Sequence, residues 1–313
     1  MISLKQLRYL DAVARHGHFG RAAADCAVTQ PALSMQIAAL ETALGITLIE
    51  RRGRGVLLTE TGREIAERAA LVLHGVDAIA SYARAMQGPL AAPLRLGVIP
   101  TIAPYVLPPL LPLLRDRYPS LDLRLRETFT HQLLADLSDG KLDVLLLALP
   151  LEGTDIETEP VADDRFLLAV PKGWKTGQRY RATPELIRND RLLLLEEGHC
   201  LRDQAMAFCK VRSFHGIDTF GATSLSTIVQ MVANGMGLTL LPEISLGVEA
   251  TGGGVKLLRF AEPEPYRTLG LAWRSSSPRK KDFQLLARLI AESIACQRQR
   301  HVRNPERGNP EKP

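Results

Sequence analysis

Cysteine is scarce in this sequence, and the spacing of the few cysteines excludes a common metal-binding pattern. The 313 residues include four of them, Cys26, Cys200, Cys209 and Cys296. No pair shows the Cys-x2-Cys spacing that is typical of a structural zinc site. We therefore expect neither a metal site nor a cofactor.

Long apolar runs are missing as well. No apolar stretch reaches the about 20 residues that a membrane-spanning helix needs. Asp11, Arg15 and Arg21 interrupt the region where a signal peptide would have its apolar core. We expect a protein of the cytoplasm that has no membrane partner. Structural disulfides are rare in that compartment, and a reversible disulfide there is usually catalytic or sensory.

The sequence has no strong excess of charge of either sign. Its net charge of +5 permits a nucleic acid as a partner without demanding one. Hydrophobic residues make up 46% of the chain and charged residues 23%, which is typical of a globular protein. A chain of this length can form two or three domains with substantial cores.

The first 58 residues predict a DNA-binding domain of the winged helix-turn-helix type. Leu4, Leu7, Leu10 and Val13 form an apolar stripe at helical spacing. The alanine-rich residues 19–27 predict a short second helix, and a tight turn leads from it into a third. Two short helices joined in this way are typical of a DNA reader.

The third helix covers residues 32–44, with Thr29 as its predicted N-cap and Pro31 in its first turn. Small polar side chains near its exposed start can hydrogen-bond base edges or phosphates. Two short strands around an arginine-rich tip then predict a wing that suits phosphates or a minor groove. The candidate DNA-binding residues are Thr29, Gln30, Pro31, Ser34, Gln36, Arg51, Arg52 and Arg54. A helical bundle with a solvated basic loop is the alternative interpretation.

Residues 59–88 predict a dimerisation helix. Apolar residues recur there at steps of four and three, a heptad pattern typical of paired helices. They are Ile65, Ala69, Val72, Val76, Ile79 and Ala83. Pairing would set two DNA readers side by side on a two-part site, whereas a helix packed only on its own domain is the alternative. The Gly- and Pro-containing residues 88–93 end the helix and predict a hinge.

Residues 89–297 predict an α/β domain, because strand and helix patterns alternate along them. The all-apolar segment 144–149 is typical of a buried strand. Further strands are predicted at 94–99, 121–126, 166–170, 192–195, 238–241 and 269–273, and helices at 105–118, 130–137, 224–233 and 283–294. This alternation predicts a doubly wound parallel sheet in two lobes. The polar, basic and proline-containing residues 298–313 predict a disordered tail.

Polar side chains follow several of these strands. Thr101 follows the first strand, Thr130 opens a helix, and Cys200 comes after the segment that ends at Leu195. Because ligands in such folds bind at the carboxyl ends of strands, these residues can converge on one crevice. Taken alone, each hydroxyl also fits a helix cap.

Cys200 and Cys209 lie at the two ends of one predicted helix. At ~1.5 Å rise per residue, nine steps separate their Cα atoms by roughly 13 Å, whereas a disulfide needs them within about 7 Å. A bond between them would therefore unwind the helix, and we hypothesise a switch. The alternative is a pair of buried, inert cysteines, which is also how we interpret Cys26.

Cys200 has the surroundings that favour a reactive thiolate, namely a helix start, the adjacent His199 and, if the fold allows it, Arg267. Peroxide would oxidise Cys200 to a sulfenic acid, and Cys209 would condense with it to a disulfide. A thiol reductant would restore both cysteines.

Several segments resemble the LysR-type transcriptional regulators, and within this family the hydrogen peroxide sensors of the OxyR group. The family pattern is carried by FGRAAADCAVTQPALSMQIAALETALGITLIER and LTETG. The similarity to the peroxide sensors is carried by PTIAPYVLP, THQLLADLSDGKLD, LEEGHCLRDQAMAFC, ATSLSTIVQMVANGMGLTLLP and PEPYRTLGL. The resemblance covers nearly the whole chain, and GHCLRDQAMAFC is its most specific segment.

The resemblance implies a winged helix-turn-helix, a dimerising linker helix and a two-lobed regulatory domain like the periplasmic binding proteins, assembled as a dimer of dimers on promoter DNA. It implies that Cys200 is the peroxidatic and Cys209 the resolving residue. The residues it implies around the thiol are Thr101, Thr130, His199, Asp203 and Arg267. It also implies an activator of antioxidant genes that works with RNA polymerase and is reset by a thiol reductant, and not an enzyme.

Two rival functions fit parts of the sequence. One is a LysR-type regulator that responds to a small-molecule effector and whose cysteines are incidental. The other is a thiol peroxidase, another enzyme or a solute-binding protein. The helix-turn-helix and the wing argue against this last class, because none of those activities needs them.

Overall fold

The computed structural model describes residues 1–52, 55–85, 88–151, 155–175, 181–183, 187, 190–209 and 222–303. The chain divides into two compact units, Met1–Arg84 with Asp139–Lys141 and Ala85–Ser138 with Leu142–Pro313. No helix among the described residues is both long enough and apolar enough to cross a bilayer.

The first unit begins with three helices, α1 (Leu4–His16), α2 (Phe19–Asp25) and α3 (Gln30–Leu44). Ser3 and Gln6 form a reciprocal capping box at the start of α1, which satisfies two of the free N–H groups there. The helices enclose one apolar core. Its most buried residues include Leu10, Leu33, Ile37, Leu40 and Leu48. The predicted helix-turn-helix is confirmed.

A hairpin of β1 (Ile49–Arg52) and β2 (Gly55–Leu58) follows, with Arg52 paired to Gly55. It is the predicted wing. Arg54 lies outside the described residues, and so do the side chains of Arg51 and Arg52. The hairpin leads into the long helix α4 (Glu60–Ala85).

Helix α4 leaves much of its predicted apolar seam exposed. Ala69 is buried, but Val72 is 48% exposed and Ile79 is 72% exposed. Leu71 and Tyr82, which the heptad pattern did not include, are also more than half exposed. An apolar stripe of this kind on a long helix is typical of a surface that pairs with another chain.

Seven strands form the sheet of the second unit. They are β3 (Leu94–Val98), β4 (Leu123–Glu127), β5 (Val144–Leu149), β6 (Ile156–Pro171), β7 (Thr239–Pro242), β8 (Val255–Arg259) and β9 (Tyr266–Arg274). The strand order is β4-β3-β5-β9-β6-β7, and β8 pairs with β6. Leucine, isoleucine and valine side chains on both faces build one continuous core.

The prediction of a doubly wound parallel sheet is correct for β3, β4 and β5 and wrong for the other strands. Strand β3 is parallel to β4 and β5, but β9 runs antiparallel to β5 and β6, and β7 and β8 run antiparallel to β6. The long β6 is responsible, because its first half pairs with β9 and its second half pairs with β7 and β8. Only residues 166–170 of β6 were predicted, since its first half mixes charged and apolar residues without regular alternation and contains Pro160.

Three smaller differences concern the predicted element bounds. Residues 192–195 form a single bridge between Leu192 and Leu238 and not a strand. The half-exposed strand β8 was missed. The last helix runs to Arg303 and so covers the beginning of the predicted tail, because residues 297–303 contain no glycine or proline to end it; residues 304–313 lie outside the described part.

Seven helices of the second unit are described, of which one is a single 3-10 turn. They are α5 (Ala103–Arg117), α6 (Thr130–Ser138), α7 (Cys200–Cys209), α8 (Leu225–Ala233), the 3-10 turn Glu243–Ser245, α9 (Leu246–Glu249) and α10 (Lys280–Arg303). The predicted helices at 105–118, 130–137, 224–233 and 283–294 are confirmed within a few residues, apart from the longer end of α10.

The predicted hinge at 88–93 is wrong for residues 90–93, because they are hydrogen-bonded to Asp282 of α10 and to Arg279 directly before it. Leu90 and Ala92 are buried. The Leu90 N–H donates to Asp282 at 3.1 Å, and Arg279 donates to the carbonyl oxygens of Pro93 at 2.7 Å and of Ala92 at 3.3 Å. A buried backbone with these partners belongs to the rigid part of the second unit.

Candidate functional site

Helix α7 carries both cysteines of the predicted switch, with Cys200 as its first residue and Cys209 as its last. Leu201 and Ala205 anchor it on the core, at 4% and 1% exposed. Near its end the Phe208 ring packs edge-to-face on Phe260 with 5.1 Å between the ring centres. The side chain of Cys209 lies outside the described residues.

The Cys200 thiol faces a narrow pocket that three segments form. The first follows β3, the second follows β4 and opens α6, and the third leads into α7. Because β3 and β4 are parallel neighbours, their carboxyl ends meet at one edge of the sheet. The lining residues are Ile99, Pro100, Thr101, Phe129, Thr130, Gly198, His199 and Cys200.

Two aromatic rings and a glycine shape one wall of this pocket. The Phe129 ring meets the His199 imidazole edge-to-face with 4.7 Å between centres. Gly198 has φ +98, which an L side chain rarely adopts, and a β-carbon there would meet the Phe129 ring at 3.7 Å. Glycine at this position therefore lets the chain turn tightly into α7.

Arg267 lies behind Thr101 and is fully buried. Its Nη1 donates to Thr101 Oγ1 and its Nη2 donates to the Thr101 carbonyl oxygen, each at 3.0 Å. Its Nε donates to Asp164 Oδ2 at 2.9 Å, and both side chains of this pair are 0% exposed. The backbone N–H of Ile244 donates to the other Asp164 oxygen at 3.0 Å.

The balance of charge around Cys200 differs from the sequence-based expectation of a favoured thiolate. Burial raises the pKa of the Cys200 thiol, and this effect outweighs the opposing charge of Arg267 and the hydrogen bond from Thr130. Asp203 adds to the rise. The thiol form is therefore favoured at rest.

His199 is buried, and burial lowers the pKa of its imidazole despite the opposing charge of Glu196. The ring is therefore neutral at pH 7. Among the described residues, no nitrogen or oxygen atom forms a hydrogen bond with the buried His199 Nε2 or Thr130 Oγ1. Two such atoms at one pocket can serve a small polar ligand.

The structure brings some of the predicted pocket residues together and separates one. Thr101, Thr130, His199 and Cys200 line the pocket, and Arg267 reaches it through Thr101. Asp203 is exposed on the first turn of α7 and does not line it. The sequence reading missed Phe129, Gly198 and the buried Asp164.

These omissions have different causes. Phe129 and Gly198 stand directly beside predicted residues in the chain, so adjacency could have suggested them. Asp164 carried no such signal, because it meets Arg267 only through the register of β6 with β9, in which the two are direct partners.

The predicted DNA-reading residues cluster at the start of α3. The Thr29 hydroxyl caps the helix by accepting from Ala32 N at 3.4 Å. Gln30 and Pro31 are exposed, and Ser34 and Gln36 are half-buried. An α-helix fits into the major groove of DNA, and polar groups at its exposed start can reach the base edges there.

Two family profiles match the chain. "Bacterial regulatory helix-turn-helix protein, lysR family" covers residues 4–63, and "LysR substrate binding domain" covers residues 87–295. Together they span both units described above.

Full-length relatives are similar over nearly the whole chain. A "Probable hydrogen peroxide-inducible genes activator" of Streptomyces viridosporus is 47% identical over 93% of this chain and 94% of the relative. The "DNA-binding transcriptional dual regulator OxyR" of Escherichia coli K12 is 42% identical over 92% of this chain and 95% of the relative.

Solved structures are similar as well. A full-length cysteine-to-aspartate variant of OxyR from Pseudomonas aeruginosa is 37% identical with a TM-score of 0.73, covering 94% of this chain and 98% of that one. A cysteine-to-serine mutant of OxyR from Corynebacterium glutamicum with hydrogen peroxide bound is 33% identical with a TM-score of 0.67, covering 95% and 96%.

Proposed function

Because the chain belongs to the LysR family of bacterial helix-turn-helix regulators, we propose that it is a transcription factor that senses hydrogen peroxide. In this proposal peroxide links Cys200 to Cys209, and the change in α7 alters how the protein acts on promoters of antioxidant genes. The relatives named as hydrogen peroxide-inducible genes activators support the choice of signal.

The position of the two cysteines at opposite ends of α7 carries the proposal. In a regular helix nine steps of ~1.5 Å keep their Cα atoms roughly 13 Å apart. A disulfide brings Cα atoms within about 7 Å. The helical form and the linked form therefore exclude each other, which gives the two states that a switch needs.

The chemistry has two balanced steps. The Cys200 thiol reacts with hydrogen peroxide to give a Cys200 sulfenic acid and water, so that sulfur is oxidised and the O–O bond breaks. The Cys209 thiol then attacks that sulfur, forming the disulfide and releasing a second water. Two equivalents of a thiol reductant reverse the change.

The pocket assists the first step. The hydroxyls of Thr101 and Thr130 can hold the peroxide, and neutral His199 can accept or donate a hydrogen bond. Arg267 supplies positive charge that favours the thiolate over the thiol, and only the thiolate attacks. Asp203 is itself exposed on the first turn of α7, and its charge works against the thiolate, so we assign it an indirect role.

Linking the cysteines disturbs the packing that holds α7. Leu201 and Ala205 of this helix are buried in the core, and the Phe208 ring packs on Phe260. Unwinding must release part of these contacts, so the change is transmitted into the core of the regulatory unit. That route gives a local redox event a wider structural consequence.

The family membership implies DNA binding and self-association, and we propose which residues perform each. Residues 1–58 bind promoter DNA through the start of α3 and the wing, residues 59–88 pair with a second chain, and residues 89–297 sense peroxide. The exposed stripe of α4 supports the pairing. We propose a dimer of dimers that contacts RNA polymerase, located in the cytoplasm because promoter DNA is there, with residues 298–313 as a terminal extension.

The decisive experiment is disulfide mapping of the full chain by mass spectrometry without reductant. We expect a peptide that links Cys200 to Cys209 after about one equivalent of hydrogen peroxide, and none before. Cys209→Ser should stop at a sulfenic acid that dimedone traps on Cys200, whereas Cys296→Ser should behave like the wild type. A response of promoter output to peroxide in Cys200→Ser would contradict the proposal and favour a small-molecule effector.

A further inference from the structure

Arg267 is the buried cation beside the thiol pocket, and its orientation depends on one carboxylate. Asp164 and Arg267 are direct partners in the antiparallel pairing of β6 and β9, so their side chains emerge on the same face. Neither side chain is exposed to solvent. An arginine at such depth needs a counter-charge, because an unpaired buried charge is strongly destabilising.

The geometry of the guanidinium shows what Asp164 does beyond neutralising it. Asp164 accepts the hydrogen bond from Arg267 Nε. The two Nη groups then donate to Thr101 Oγ1 and to the Thr101 carbonyl oxygen. A planar fork fixed at Nε on one side has little freedom to rotate. These three contacts use three of the five N–H donors of the guanidinium.

Asp164 is itself held in place from a different element. Its second oxygen accepts from the backbone N–H of Ile244 in the 3-10 turn Glu243–Ser245, at 3.0 Å. Its orientation is therefore fixed by β6 and by this turn, and not by Arg267 alone. The carboxylate joins the pocket wall at Thr101 to the 3-10 turn through one buried chain of hydrogen bonds.

We propose that Asp164 is a positioning residue for the Cys200 pocket: it holds Arg267 in the one orientation that clasps Thr101 and directs positive charge toward the thiol. This inference rests on the proposed function, because it names a further residue needed for the peroxide reaction. Asp164 does not line the pocket and acts only through Arg267.

The test is the thiol pKa of Cys200 in the full chain, measured from the pH dependence of iodoacetamide alkylation. Cys26→Ser, Cys209→Ser and Cys296→Ser together leave Cys200 as the only cysteine. Asp164→Asn keeps the size of the side chain but offers one acceptor and an amide donor, so either Arg267 Nε or Ile244 N loses its partner. We expect the thiol pKa to rise by about one unit, since an opposite charge nearby shifts a pKa by 1–3 units.

The peroxide reaction at pH 7 should then slow by about tenfold, because one pKa unit is a tenfold change in thiolate. The matched control is Asp163→Asn, which removes the same charge from the neighbouring, exposed residue that accepts from Thr268. We expect no shift in that control. A pure charge effect would have the opposite sign, because removing a negative charge lowers a thiol pKa, so an unchanged or lower pKa in Asp164→Asn would overturn the proposal.

A double-mutant cycle keeps the test valid if Asp164→Asn folds poorly. Arg267→Met combined with Asp164→Asn leaves no unpaired charge, so the pair should be at least as stable as either single variant. If Asp164 acts through Arg267, the thiol pKa of the double variant is no higher than that of Arg267→Met. A further rise of half a unit or more would refute the proposal, because it would show that Asp164 raises the thiolate population without Arg267. Alkylation needs no peroxide, so a wild-type Cys200 that is inert to peroxide would refute the proposed function and leave this result standing.

Discussion

The incompatibility between a helical α7 and a Cys200–Cys209 disulfide makes Ala207→Gly a sensitive perturbation. Ala207 lies inside α7 and is exposed, so the change removes a methyl group that contacts little. Glycine in a helix interior is less stable than alanine by about 0.8–1.0 kcal/mol. This penalty applies only while residue 207 is helical.

The magnitude follows from this difference. If α7 unwinds on oxidation, the thiol form loses about 1 kcal/mol and the disulfide form loses nothing. The equilibrium then moves about fivefold toward the disulfide. For a two-electron couple this lowers the reduction potential by about 20 mV.

The assay is a titration of the full chain in dithiothreitol redox buffers, with quenching by an alkylating reagent and quantification by mass. The matched control is Ala295→Gly, the same change at an exposed position of α10. It should leave the potential unchanged. Equal potentials for Ala207→Gly and the wild type would refute the reasoning, because they would mean that residue 207 has the same conformation in both forms.

Three further predictions follow from the same structure. Phe208→Ala removes the ring that packs on Phe260 and should destabilise the thiol form by about 2 kcal/mol, which lowers the reduction potential by about 40 mV. Phe208→Leu should lower the reduction potential less. Ser34→Ala should reduce promoter affinity several-fold in a gel-shift assay, whereas Arg51→Ala should lower it at all sequences and flatten its salt dependence; salt-insensitive, unchanged binding would contradict the assignment. Ile79→Asp should place charge in the exposed stripe of α4 and reduce the mass measured by light scattering, and Ala295→Asp, which adds the same charge at an exposed position of α10, is its control.

Local patterns in the sequence were sufficient for the elements that depend on neighbours in the chain. The cap of α3, the hairpin of the wing and the heptad spacing of α4 all depend on residues close together in the chain, so they could be predicted directly. The direction of β9 could not be read in this way. A strand has the same alternation in either direction, and only its partner decides whether it runs parallel or antiparallel.

The sequence by itself determined the conflict between Cys200 and Cys209, because helix geometry fixes the distance between two residues nine positions apart. Only the tertiary structure decided what surrounds the thiol. Arg267 meets Asp164 at a chain separation of 103 residues and Thr101 at a separation of 166. Those contacts depend on the register of two antiparallel strands and on the meeting of parallel strand ends, which non-local packing sets and local periodicity does not encode.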